Sequence, residues 1–207
     1  ILGLEKASAE SAGKKEDGGF FLNPKKSERQ GFRTITWEAS DDNNDKLNFN
    51  VYIRPEKDKN WHLMADGLTD KVFSFDTRHY PDGTYFIKIE ASDLPANPPG
   101  TDKKVEKISR PLVIDNSLPE VKNFVAAKTS HGLEVSFSAE DKYSYIEEVK
   151  VLVKPDDWQV VFPVDGLCDS MVESFKFSLS LKAGSDNLMI IRVKDSFGNI
   201  GVYQYNF

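Results

Sequence analysis

Between Gly31 and Arg54 the chain alternates. Ile35 and Trp37 are flanked by Thr34, Thr36 and Glu38, and Leu47, Phe49, Val51 and Ile53 by Asn48, Asn50, Tyr52 and Arg54. A period of two sends one set of side chains to a core and the other to water. The pattern predicts strands over about 32–39 and 47–54, joined by the acidic turn Asp41-Asp42-Asn43-Asn44-Asp45. Further strands follow at 61–67, 71–77, 84–93 and 108–116. Tyr80-Pro81-Asp82-Gly83 is a turn in which proline presets φ and glycine tolerates positive φ. The Pro- and Lys-rich stretch 94–107 reads as a long loop.

A second set of strands begins after Leu118-Pro119: 121–129, 133–141, 147–155, 158–164, 175–182, 187–195 and 200–207, with a turn at His131-Gly132. The two sets match at an offset of about 100 residues, the length of one sandwich domain. Trp37-Glu38-Ala39-Ser40-Asp41 lies on Phe137-Ser138-Ala139-Glu140-Asp141, and Ile89–Asp93 on Ile191–Asp195. No segment carries a sustained helical period. The fold class expected is all-β, with two tandem antiparallel β-sandwiches. The domains expected are a linker or disordered arm over 1–18, a first sandwich over 19–116 opening with an edge strand at 19–26, and a second over 117–207. The alternative for the arm is a short helix from Leu4 to Ala12.

The segments ITWEA, FNVYIR and DGTYFIKIEASD resemble the B, C and F strands of fibronectin type III modules. The resemblance covers about residues 30–116 and implies a core tryptophan at Trp37 and a tyrosine-corner residue at Tyr85. The fuller run, from the W-x-A-S-D-D motif at Trp37 to V-I-D-N-S-x-P, is similar to domains near the C-termini of large secreted bacterial proteins that often carry β-propeller repeats. The second half departs from this pattern. Phe137 replaces the tryptophan and Asn187 aligns with Tyr85, so it looks generically immunoglobulin-like, with VKDSFGNIG similar to the last hairpin of bacterial Ig-like repeats. Together these likenesses imply immunoglobulin-like (fibronectin type III-like) domains that act as a non-catalytic accessory or spacer.

Composition narrows the choice of partner. The 207 residues carry a formal net charge of −6, which disfavours general nucleic-acid binding, a process driven by a basic face. No apolar run approaches the roughly 20 residues that span a bilayer. Cys168 is the single cysteine, so no intrachain disulfide forms. The chain opens on Ile1 without a signal segment. The expectation is a piece of a longer extracellular, periplasmic or cell-surface protein, with adjacent domains as its nearest partners and a protein or polysaccharide ligand.

Candidate chemistry is sparse. HExxH, CxxC, G-x-S-x-G and phosphate-loop patterns are all missing. His62, His79 and His131 lack ligand spacing, and Asp156, Asp157 and Asp165 read as solvated loop ends. The expectation is therefore not an enzyme. Oxygens at Asp41, Asn43 and Asp45 are spaced as in a calcium loop, but the glycine and distal glutamate of an EF-hand are missing. In a sandwich the B–C and F–G loops share one pole, which brings Asp93 to that turn. The same logic in the second copy gathers Asp115, Asp141 and Asp195, with Asn199 close. Carboxylates so placed repel and need a calcium ion, a lysine such as Lys142, or hydrogen bonds from turn amides. Both calcium and amides stay open, and no other cofactor is expected. Tyr52, Trp61 and Trp158 are aromatics that either stack on sugar rings or pack within the sheets.

Overall fold

A computed structural model of the chain describes residues 2–3, 25–26, 30–98, 100–130, 132–152, 157–180 and 188–207. The expected arm over 1–18 and edge strand over 19–26 lie outside these residues, apart from Leu2–Gly3 (β1) and Lys25–Lys26 (β2), which pair antiparallel. His131, Val153, Asp156, Leu181 and Asn187 are also outside. The chain divides into two compact units, Ile1–His79 with Tyr85–Leu112, and Tyr80–Thr84 with Val113–Phe207. Both are built from antiparallel β-sheet, as two tandem β-sandwiches.

In the first unit, β3 (Phe32–Thr36) pairs with β6 (Val72–Asp76). β4 (Asn48–Pro55) lies between β5 (His62–Leu68) and β7 (Gly83–Ser92). β8 (Lys104–Ile108) and β9 (Leu112–Ile114) both pair with β7. The alternation read from the sequence is the alternation of burial: Phe49, Val51 and Ile53 on β4 and Tyr85 and Ile87 on β7 are buried.

Three expectations are corrected. Lys104–Ile108 is a strand, where the chain reads as loop. All five of its residues are exposed, so no apolar face marks it, and its lysines are the usual dress of a sheet edge. The strand expected over 108–116 is broken at Ser109-Arg110-Pro111, because proline offers no N–H to the ladder. There Ser109 N donates to Ile87 O at 2.8 Å and Ile87 N donates to Ser109 Oγ at 3.0 Å, a side chain replacing a ladder carbonyl. Lastly, β3 stops at Thr36, so Trp37 sits just beyond it, half-buried rather than enclosed between sheets. Its ring meets Phe49 edge-on at 5.4 Å. It lines an apolar groove of about 880 Å³ together with Ile35, Phe49, Ile89 and Val105.

The second unit closes its core. β10 (Glu120–Thr129), β11 (Gly132–Glu140) and β14 (Val172–Leu179) form one sheet. The other has the order β13 (Trp158–Val161), β12 (Ile146–Leu152), β15 (Leu188–Asp195) and β16 (Ile200–Asn206). Leu133, Val135, Phe137, Val149, Phe175, Met189 and Ile191 are all buried in one cluster between them. Phe137 and Phe175 stack at 5.0 Å. Two glycines are required by close approach. A Cβ on Gly132 (φ +140°) would sit 2.1 Å from Leu179 O, and one on Gly201 would sit 2.4 Å from Pro119 O.

Trp37 Nε1 is buried without an acceptor among the described residues. Trp37→Phe removes that unmet donor and keeps the contact with Phe49 beside space that already exists. Its expected cost in urea denaturation is about 1 kcal/mol or less, against the roughly 3–5 kcal/mol of truncating an enclosed aromatic. A loss in the upper range would mean that the ring is part of a closed core.

Candidate functional site

The end of the second sandwich where β11 and β15 stop collects three aspartates. Asp141 follows β11, Asp195 ends β15, and Asp115 lies in the segment before β10. All three are buried, at 9%, 0% and 4% exposure for Asp141, Asp195 and Asp115. One carboxylate oxygen from each lies within 4.8 Å of the others.

Local turn chemistry holds each in place. Asp141 Oδ1 accepts from Tyr143 N and Ser144 N, both at 2.9 Å, and from Ser144 Oγ at 3.1 Å. Asp195 Oδ1 accepts from Phe197 N and Asn199 N at 2.8 Å, and its Oδ2 from Asn199 Nδ2 at 2.8 Å. Gly198, at φ +85°, closes that hairpin. Asp115 Oδ1 accepts from Ser117 N and Ser117 Oγ at 3.1 and 2.8 Å. The 115–119 segment is itself pinned, since Asn199 Nδ2 donates to Asp115 O at 3.2 Å and Tyr203 OH to Pro119 O at 2.7 Å. Small Gly201 permits that approach.

The turn amides thus take up one oxygen of every carboxylate. Asp115 Oδ2 is buried and has no donor among the described residues. The ion pairs of this unit engage Glu120, Glu140, Glu147 and Glu148 instead. Lys142 lies over the Tyr143 ring, 5.0 Å from its centre. Burial pushes the Asp195 carboxyl above its usual range against the pull of its Asn199 bonds, and the Asp115 charge adds to the rise.

The first unit repeats the placement with less enclosure. One oxygen each of Asp41, Asp45 and Asp93 falls within 4.8 Å of the others, but Asp41 and Asp45 are half-buried. Asp41 Oδ1 accepts from Asn43 N at 2.9 Å and Asp45 N at 3.2 Å, and Asp93 Oδ1 from Lys103 N at 2.7 Å. Asn43 is exposed and joins this turn through its backbone.

The aromatic residues weighed as sugar platforms are occupied by cations. The Arg54 guanidinium lies 5.1 Å from the Trp61 ring centre, and Lys88 Nζ lies 4.6 Å from that of Tyr52 and 5.4 Å from that of Trp61. Arg192 lies 5.6 Å from the Trp158 ring centre. The sequence shows both cations and rings on alternating positions, but a cross-strand stack needs the register, which appears in the sheet.

No family model and no curated protein matches the chain. Among solved structures it is similar to the FN1–FN3 segment of chicken CNTN1. That likeness has 16% identity and a TM-score of 0.40, over 86% of this chain and 62% of the other. The chain therefore spans less than two thirds of that segment. The all-β architecture of the two units is given by their strand order and register.

Two buried polar groups of the second unit escape sequence reasoning. Glu173, 3% exposed, accepts at Oε1 from Asp169 N and Ser170 N at 2.9 and 2.8 Å. Ser144, 2% exposed, caps the turn at Asp141. A polar residue at a strand end gives no hint of burial until the loop above it is placed. Cys168 packs half-buried against the core beside Glu173.

Burial, then the negative charges of Glu173, Asp165 and Asp169, push the Cys168 thiol up to about 11. The thiolate is the reacting form, so the native thiol should modify with a disulfide reagent at pH 8 more than about tenfold slower than in denaturant. Equal rates in the two conditions would place Cys168 in open solvent.

Proposed function

We propose that this chain is a non-catalytic tandem β-sandwich segment of a longer secreted or cell-envelope protein. It spaces its neighbours and presents a protein-binding edge. The observation that carries this reading is β13, which lies at the edge of its sheet. Trp158, Val160, Phe162 and Val164 share one parity along and beyond it and are exposed at 40%, 48%, 69% and 70%. Leu167, Met171 and Val172 are also exposed in this unit. An edge strand of this kind offers unpaired N–H and C=O groups beside apolar side chains, which is what strand addition by a partner uses. The partner that fits is an extended segment of a neighbouring domain or of a second protein, rather than a charged polymer. Among the described residues no helix is long and apolar enough to cross a membrane.

The competing polysaccharide reading needs an aromatic face open to a sugar ring, and the cations over Trp61, Tyr52 and Trp158 work against it. We take the two sandwiches as separately folding units, with the division near residues 113–117. The linker residue Asn116 donates from its N to Asp82 Oδ1 at 2.7 Å.

The edge is tested in the parent protein with a photo-crosslinking residue at Phe162. The expected result is a discrete protein adduct, lost on Val160→Lys with the melting temperature held. A polysaccharide signal on a glycan array with no protein adduct would replace this reading by the carbohydrate one. For the division, a fragment 113–207 should unfold cooperatively with a β-type circular dichroism spectrum. A fragment 117–207 lacks the Asp115 carbonyl that Asn199 bonds and should be less stable by about 1 kcal/mol or more. A fragment 113–207 that stays unfolded would refute the division.

A further inference from the structure

We propose that Asp115, Asp141 and Asp195 form a calcium site in the second sandwich. Two independent observations meet there. The first is the gathering of three buried carboxylates with an oxygen from each within 4.8 Å. The second is Asp115 Oδ2, a buried anionic oxygen with no donor among the described residues. A buried carboxylate oxygen without a donor is costly, and two further carboxylates beside it add repulsion. The amides, hydroxyls and Asn199 that surround the cluster satisfy the other groups and neutralise none of the charge.

The donor set selects the ion. Every ligand is a carboxylate oxygen, with no histidine or cysteine in the cluster, so hard cations fit and zinc or copper do not. The three oxygens are close enough to share one cation. Their nearly closed setting suits calcium, which takes protein oxygens in irregular geometry, better than magnesium, which demands an octahedron and keeps several waters. Asp141 is the most exposed of the three, so water completes the coordination from its side. Its Oδ1 is held by the turn, and Asp195 is fixed through both oxygens, so the ligands are positioned before the ion arrives. The first unit's triad lacks this second feature: among the described residues no oxygen of Asp41, Asp45 or Asp93 is buried without a partner.

The test uses the full chain, melted in chelator and in about 5 mM calcium, alongside calorimetric titration with calcium chloride. The expected result is saturable binding and a rise in melting temperature of about 4 °C or more. About 5 mM magnesium should raise it less. Asp115→Asn should abolish the calcium shift, and in chelator it should melt at or above the wild-type temperature, because a repelling charge is gone. Asp41→Asn should keep the shift. Absence of heat and of any shift in the wild-type chain overturns the proposal. A shift lost in Asp41→Asn and kept in Asp115→Asn also overturns it, as does an equal response to magnesium. Should Asp115→Asn fail to fold, Asp141→Asn takes its place against the same outcomes.

Discussion

The second sandwich depends on how its strands stop. Where β11 and β15 end, the turning chain leaves backbone N–H groups that no ladder partner can reach, and a buried N–H must find an acceptor. Aspartate has the reach to accept from amides two to four residues on. Asp141 takes Tyr143 and Ser144, Asp195 takes Phe197 and Asn199, and Asp115 takes Ser117. Each turn is solved locally by one acid. Sandwich topology then places the three turns at one pole, so three local solutions create one shared problem of buried negative charge. Asparagine would accept the same amides without that charge, which makes the choice of acid at all three positions informative.

The two units share this plan and differ in closure. Phe137 is enclosed and stacked on Phe175, where the matching Trp37 is half-buried beside a groove. At the poles, Asp141 and Asp195 are buried, whereas Asp41 and Asp45 reach solvent. Water reaches the first triad through Asp41 and Asp45, whereas the second is nearly closed to it. The same residue types at matching positions therefore carry different electrostatic consequences, and the difference lies in packing rather than in spacing.

Strand alternation made most of the fold legible. β4, β7, β11, β14 and β15 each carry an apolar face that a one-dimensional reading detects, because burial on one side of a sheet has period two. The triads were legible through the repeat offset, since residues after equivalent strands occupy equivalent loops. Other features were hidden for identifiable reasons. β8 has no buried face, so its alternation carries no signal. Trp37 looked like a core residue because its parity is right, but β3 ends one residue earlier. The unpaired Asp115 oxygen depends on which way Ser117 turns its N–H and hydroxyl, and no spacing encodes that. The stack of Lys88 on Tyr52 joins residues on neighbouring strands, whose register is a tertiary property.

The sheet edges β8 and β13 belong to different units and are treated in opposite ways. β8 carries Lys104, Glu106 and Lys107, with Glu106 paired to Lys88 at 2.7 Å. Charge of that kind blocks strand addition, the usual protection of an edge. β13 has no charged residue, and apolar side chains project from it into solvent. Arg192 moderates Trp158, but nothing comparable stands over Val160 or Phe162 among the described residues. An edge left in that state invites self-association unless something covers it. β8 also exposes Val105 and Ile108, but its charges stand between them. The omission of such charge from β13 is the contrast on which the proposed contact edge rests, on physical grounds separate from any likeness to other modules.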